Sequence, residues 1–217
     1  MNHTPRWFKA TAAVISALTV LGGVTGCPRI VISTEPAPVP VPWTPDASAR
    51  WLWSLGAVSN VDADVYVLDP FQTGSGDVAD LHARGRRTLC RLAAGAWEPG
   101  RPDAARFDAR VLGSPTGAAD GSRWLDVRQV GAVAPILTDR VTLCRVKGFD
   151  GVVAEQLDAY ARPTGFSIQL SDQVGFNRAF ASLTRAQGLR VAIAADPMVV
   201  AVLARDFDFT APAPSGS

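Results

Sequence analysis

Asp69, Glu98, Glu155 and Asp196 each stand at or just after the end of a short apolar run. A carboxylate held there can give or take a proton, and two facing one another can divide acid and base work across a single bond. The same residue types also cap helices and turns. Asp196 precedes Pro197, the pattern of an N-cap with proline at the first helical position. Trp97 and Trp51 offer broad apolar faces on which a ring can stack, although Trp51 reads better as core packing. No CxxC pair is present and the chain has only two histidines, so a metal site has little behind it. No cofactor is implied.

Cys27 carries a different chemistry. Arg6 and Lys9 are followed by a largely apolar run from Ala10 to Val24, long enough for a signal-peptide core and short for a permanent span. It ends in Val24-Thr25-Gly26-Cys27, which resembles the lipobox of bacterial lipoproteins, whose cysteine receives lipid. Residues 1–26 are thus expected to be a removed leader and Cys27 a lipid anchor. The protein would then be exported and held at the membrane of the bacterial cell envelope. Residues 27–43 contain Pro36, Pro38, Pro40 and Pro42 alternating with small apolar residues, which favours an extended polyproline II tether. Residues 44–217 form the working domain.

Without Arg6 and Lys9 the 21 basic residues become 19 against 20 acidic ones, a net charge near −1. A nucleic-acid partner would want a strongly basic domain. Cys90 sits in a strand-like run and Cys144 in a helix-like one; export permits a disulfide, and two buried thiols are at least as good a reading.

The elements that must position these residues announce themselves by punctuation. Leu81 to Gly85 leads into Thr88-Leu89-Cys90, Arg145 to Gly148 into Gly151-Val152-Val153, and Arg185 to Gly188 into Val191-Ala192-Ile193. In each, a helix with basic residues near its end stops at glycine and a strand begins. Leu137, Val141 and Cys144 keep helical period, as do Phe176, Phe180 and Leu183. Helices alternating with buried strands imply an α/β fold with a parallel sheet. Candidate strands are Trp51–Leu55, Val65–Leu68, Thr88–Ala93, Trp124–Val127, Val152–Glu155, Val191–Ala195 and Phe207–Thr210, the fourth being the weakest. A (β/α)8 barrel needs eight, usually in about 200 residues or more.

Trp51-Leu52-Trp53-Ser54-Leu55, Asp64-Val65-Tyr66-Val67-Leu68-Asp69, Ala94-Gly95-Ala96-Trp97-Glu98, Arg101-Pro102-Asp103-Ala104, Trp124-Leu125-Asp126-Val127-Arg128, Lys147-Gly148-Phe149-Asp150-Gly151-Val152, Thr164-Gly165-Phe166 and Phe207-Asp208-Phe209 follow one another in this order. This succession resembles glycoside hydrolase family 114. The resemblance implies a TIM-type barrel and endo-α-1,4-polygalactosaminidase activity on a galactosamine-rich polysaccharide. It makes Glu155 and Asp69 the catalytic candidates, with Trp97, Glu98 and Asp196 as substrate-binding candidates.

The departures point the other way. Where the family usually reads Glu-Pro-Asp-Asn, this chain has Val153-Ala154-Glu155-Gln156, and Ala194-Ala195-Asp196 replaces a Lys-Asn-Asp pattern. Val67 replaces the first of two aspartates, and Arg91 stands where tyrosine is common and would need a carboxylate such as Asp69. Glycoside cleavage needs an acid and a second carboxylate, about 5–5.5 Å apart for retention and about 6.5–9.5 Å for inversion. Strand parity puts Val153 and Glu155 on one face and Asp150 on the other, so Asp150 cannot replace the lost acid. The Ala-Pro-Ala-Pro-Ser-Gly-Ser tail after Thr210 cannot supply a strand, so the barrel is expected to lack its eighth and to stay open. Three readings stay open: a working polygalactosaminidase whose catalytic pair has shifted, a sugar-binding lipoprotein on a disabled hydrolase barrel, and a truncated gene product with no stable fold. Weak or absent catalysis is the expectation.

Overall fold

The computed structural model describes residues 43–56, 58, 61–194 and 197–213. The leader, Cys27, the tether up to residue 42, and Asp196 lie outside the described residues. In chain order the strands are β1 (Trp51–Ser54), β2 (Val65–Leu68), β3 (Arg87–Ala93), β4 (Ala96–Trp97), β5 (Leu112–Pro115), β6 (Arg123–Leu125), β7 (Gly151–Glu155), β8 (Arg190–Ile193) and β9 (Phe209–Thr210). The α-helices are α1 (Ser75–Ala83), α2 (Val130–Val146), α3 (Leu170–Ala186) and α4 (Pro197–Leu203). None of these helices is long and apolar enough to cross a membrane.

Six strands form one parallel sheet in the order β1-β2-β3-β7-β8-β9. Flat, five strand spacings of about 4.8 Å would hold its edges about 24 Å apart. The rings of Trp51 on β1 and Phe209 on β9 are instead 6.4 Å apart, so the sheet curls into a half-barrel. Among the described residues β1 and β9 do not pair with one another, and the ring is open between them.

Strand alternation sorts the side chains to two cores. Tyr66, Leu68, Leu92, Val152, Ala154, Val191 and Ile193 face outward onto Val78 and Leu81 of α1, Leu137 and Val141 of α2, and Phe176 and Phe180 of α3. Val65, Val67, Leu89, Val153 and Ala192 face inward, where Trp51, Trp53 and Phe209, all half-buried, close over them. The helix ends follow the expected punctuation: Gly85, Gly148 and Gly188 all have positive φ. Asp150 turns outward and accepts bonds from the Thr88 backbone (2.8 Å), Arg87 (2.8 Å) and His82 (2.8 Å), so it ties strand ends together.

One expected strand does not join the ring. Trp124–Val127 was the fourth candidate; β6 covers only Arg123–Leu125 and pairs antiparallel with β4 and β5 in a separate three-stranded sheet. Asp126 turns the chain at once, its carboxylate accepting from Arg128 N at 3.2 Å while its carbonyl accepts from Gln129 N. With β6 diverted, β3 pairs directly with β7. Cys90 on β3 and Cys144 on α2, left open between thiols and a bond, are joined as a disulfide.

Candidate functional site

At the carboxyl end of the sheet, β2, β3 and β7 finish side by side. Val67 pairs with Leu89, and Arg91 and Ala93 pair with Val153 and Glu155. Two residues further along each inward-facing row come Asp69, Arg91 and Glu155, which therefore share the inner mouth. Barrel folds put chemistry at this end because the strands deliver side chains there and the following loops surround them.

Glu98 arrives by another route. The chain leaves β3 through Ala94 and Gly95, whose backbone N–H groups both donate to Glu155 O at 3.1 and 3.3 Å. A Cβ on Gly95 would lie 1.7 Å from Gln156 O, so only glycine allows this approach. Gln156 on the other side has φ 55°, a left-handed conformation that is uncommon without glycine or asparagine. Two residues of β4 then carry the chain to Glu98.

The carboxylates are linked by arginines. Arg91 Nε donates to Glu155 Oε2 at 2.5 Å, and its Nη1 donates to Glu98 Oε1 at 2.6 Å. Arg101 holds Glu98 through Nε (2.9 Å) and Nη2 (2.8 Å), and reaches Asp69 Oδ2 through Nη1 (2.6 Å). Arg140, 2% exposed, bonds both oxygens of Asp103 at 2.8 Å and approaches Glu98 to 4.0 Å. The expected partner of Arg91 was Asp69; Arg101 takes Asp69 instead. Asp69 is level with Arg91 just past β2 but is held by Arg101, while on the other side Arg91 lies opposite Val153 and reaches the next inward residue of β7, Glu155.

Electrostatics decide what these groups can do. Burial pushes the Glu98 carboxyl up, but the Arg101 hydrogen bond and the charges of Arg91 and Arg101 outweigh it and hold it below the usual carboxylate range. Glu98 therefore stays ionised at neutral pH and cannot serve as the proton donor that glycoside cleavage requires. Burial alone would lower the Arg91 guanidinium, yet Glu155 and Glu98 raise it, so Arg91 remains charged. Because Glu98 and Glu155 share one guanidinium, their bonded oxygens lie at most about 7 Å apart.

A cleft of about 40 Å³ opens beside this network, lined by Arg91, Glu98, Asp120, Ser122 and Gln156 among others. Trp97 borders the outer core, half-buried, with its indole N–H donating to Ala104 O at 3.0 Å. Asp126 and Asp208 are tied up elsewhere, by Arg128 and by Arg185 with Val191 N. Among the described residues no three His, Cys, Asp or Glu side chains are grouped to hold a metal.

The structure thus brings Asp69, Glu98 and Glu155 together, and leaves Trp97 packed against the core. In the sequence reading Arg101 stands only as part of a motif, with no role at the site, and Arg140 is not singled out. Arg140 had a signal, since it is a lone charge within the apolar stripe of Leu137, Val141 and Cys144.

The comparisons with known proteins bear on the fold and the family. Among curated proteins, none matches the chain. Among solved structures, Ega3 of Aspergillus fumigatus, solved in complex with galactosamine, is 25% identical with a TM-score of 0.73. That match covers 78% of this chain and 68% of Ega3. The glycoside hydrolase domain of PelA from Pseudomonas aeruginosa shares the fold at 19% identity and a TM-score of 0.54, covering 75% of this chain and 65% of that domain. The chain thus spans about two thirds of the length of these structures. The profile of glycoside-hydrolase family GH114 matches residues 33–212. With the half-barrel and its carboxylate-bearing mouth, that match over most of the sequence shows that the chain belongs to glycoside-hydrolase family GH114.

Proposed function

We propose that this protein binds a galactosamine-rich polysaccharide at the carboxyl end of its half-barrel and hydrolyses it weakly or not at all. One observation carries the reading: Asp69, Glu98 and Glu155 each accept from an arginine, and Val153 fills the inward position where a family acid would stand. A site arranged this way keeps the carboxylates of a hydrolase mouth but not a free acid beside a free base. The Ega3 complex with galactosamine supports the sugar class. The assay is release of reducing ends from a galactosamine polymer by the purified full chain, read alongside polymer binding. Binding with turnover far below the enzyme median of about 10 per second is expected. Turnover at that median would overturn the weak-catalysis reading, and absence of binding would overturn the sugar assignment. Should slow release appear, Glu155→Gln is expected to abolish it while the fold survives.

The same proposal includes export and a lipid anchor at Cys27, supported by the Val24-Thr25-Gly26-Cys27 pattern. Cys27→Ser is expected to free the protein from membranes or stop removal of its leader. Membrane retention of the variant with normal leader removal would argue against lipidation.

A further inference from the structure

We infer that Arg91 is a built-in occupant of a subsite for a protonated amine: its guanidinium spans Glu98 and Glu155, the two carboxylates that would otherwise receive the ammonium of an amino sugar. This rests on the galactosamine reading above and adds to it the group that limits entry.

The inner face supplies the first reason. In the register layer Asp69, Arg91, Val153, Ala192, Phe209, Arg91 is the one cation, and its neighbours on β7 and β8 are apolar. Its nitrogens lie 2.5 Å from Glu155 and 2.6 Å from Glu98, close to where a charge-assisted N–H donor of a ligand would sit. Arg91 is also a wall of the small cleft, with Glu98 and Asp120 on the same lining. The cleft therefore reaches the Arg91 and Glu98 side of the pair, with Glu155 behind the guanidinium.

Charge supplies the second reason. Asp69, Glu98, Asp103 and Glu155 stand against Arg91, Arg101 and Arg140, leaving the cluster one negative. Arg101 already makes two bonds to Glu98 and one to Asp69, so those two acids keep a cationic partner without Arg91. Glu155 does not: its side-chain ion pair is with Arg91. Vacating position 91 leaves the cluster two negative, with Glu155 open to a cation. A purely structural Arg91 would predict only lost stability on removal, because breaking a buried pair strands a charge. An occupant predicts a gain of binding as well.

The test uses the full chain at pH 6, where the sugar amine is protonated, with galactosamine and uncharged galactose titrated separately by calorimetry. Arg91→Gln is expected to bind galactosamine about ten-fold tighter than the unaltered chain while galactose binding stays the same, the size of one charge-assisted hydrogen bond. A folded Arg91→Gln protein with unchanged galactosamine affinity, or with an equal gain for galactose, overturns the inference. If that variant fails to unfold cooperatively, Arg91→Gln with Glu98→Gln removes one charge of each sign. It should still prefer galactosamine to galactose through Glu155; no preference overturns the inference. Methylguanidinium probes the vacated position independently of any sugar and should bind Arg91→Gln but not the unaltered chain. Its binding to Arg91→Gln without galactosamine binding would overturn the amino-sugar assignment of the vacated position. Polymer binding by the unaltered chain with no gain in Arg91→Gln would overturn the inference alone.

Discussion

Arg140→Met is expected to destabilise the fold by about 3 to 5 kcal/mol, because it strips the partner from a buried ion pair without removing the carboxylate. Arg140 is 2% exposed and holds both oxygens of Asp103, with the rings of Phe107 and Phe71 at 5.4 and 5.7 Å from its guanidinium carbon. Burial raises the Asp103 carboxyl, and the Arg140 bond more than offsets this, keeping it below the usual carboxylate range. Without Arg140 that carboxylate is left partly buried, with only a backbone hydrogen bond and the charge of Arg106 to offset its burial. A lower denaturant midpoint with an unchanged slope would show the loss. Pairing Arg140→Met with Asp103→Leu should recover much of it, since a well-packed apolar pair often replaces a buried ion pair at little cost. A single variant within about 0.5 kcal/mol of the unaltered chain, as at an ordinary surface position, would show that the pair carries no such weight.

How far the site was legible follows from the range of each signal. Parity is local, so the sequence put Val153 and Glu155 on one face and Asp150 on the other, and the structure agrees, with the first pair inward. The glycine joints at 85, 148 and 188 are equally local, and they mark the helix ends correctly. Trp124–Val127 misled because an apolar run cannot say which sheet it will join: β6 pairs with β4 and β5 across a short insertion. The arginine network was invisible for a related reason. Arg91 and Glu155 are 64 residues apart, and Arg101 and Asp69 are 32 apart. Register brings the first pair together, and the excursion through β4 brings the second. Arg91 was read as needing an acid, which was correct in kind; β2 and β7 both flank β3, and Asp69 goes to Arg101 while Glu155 goes to Arg91.

Breaking the Cys90–Cys144 disulfide is the other large effect expected. The bond joins β3 to α2 across 54 residues, with Cα atoms 5.9 Å apart, inside the usual range for a disulfide. A closed loop of that length restricts the unfolded chain enough to contribute about 4 kcal/mol in the chain-entropy account. It also pins α2, the helix that carries Arg140, to the strand that carries Arg91, so loss of the bond should loosen the base of the carboxylate network. Both cysteines are fully buried, so a reductant reaches them only when the fold opens. Native protein should therefore keep the bond in millimolar thiol, and denatured protein should lose it. Cys90→Ala with Cys144→Ala is expected to lower the melting temperature by on the order of 10 °C. The double variant trades the bond for two small apolar side chains and leaves no unpaired thiol, so its loss reports the cross-link and a modest cavity, not a buried polar group. The oxidised chain and the double variant unfolding at the same temperature would show that the loop constraint contributes nothing. The bond also ties stability to compartment, because such links persist where conditions oxidise. Protein made under reducing conditions should then unfold like the double variant, and re-oxidation in vitro should return it to the stability of the disulfide-bonded chain.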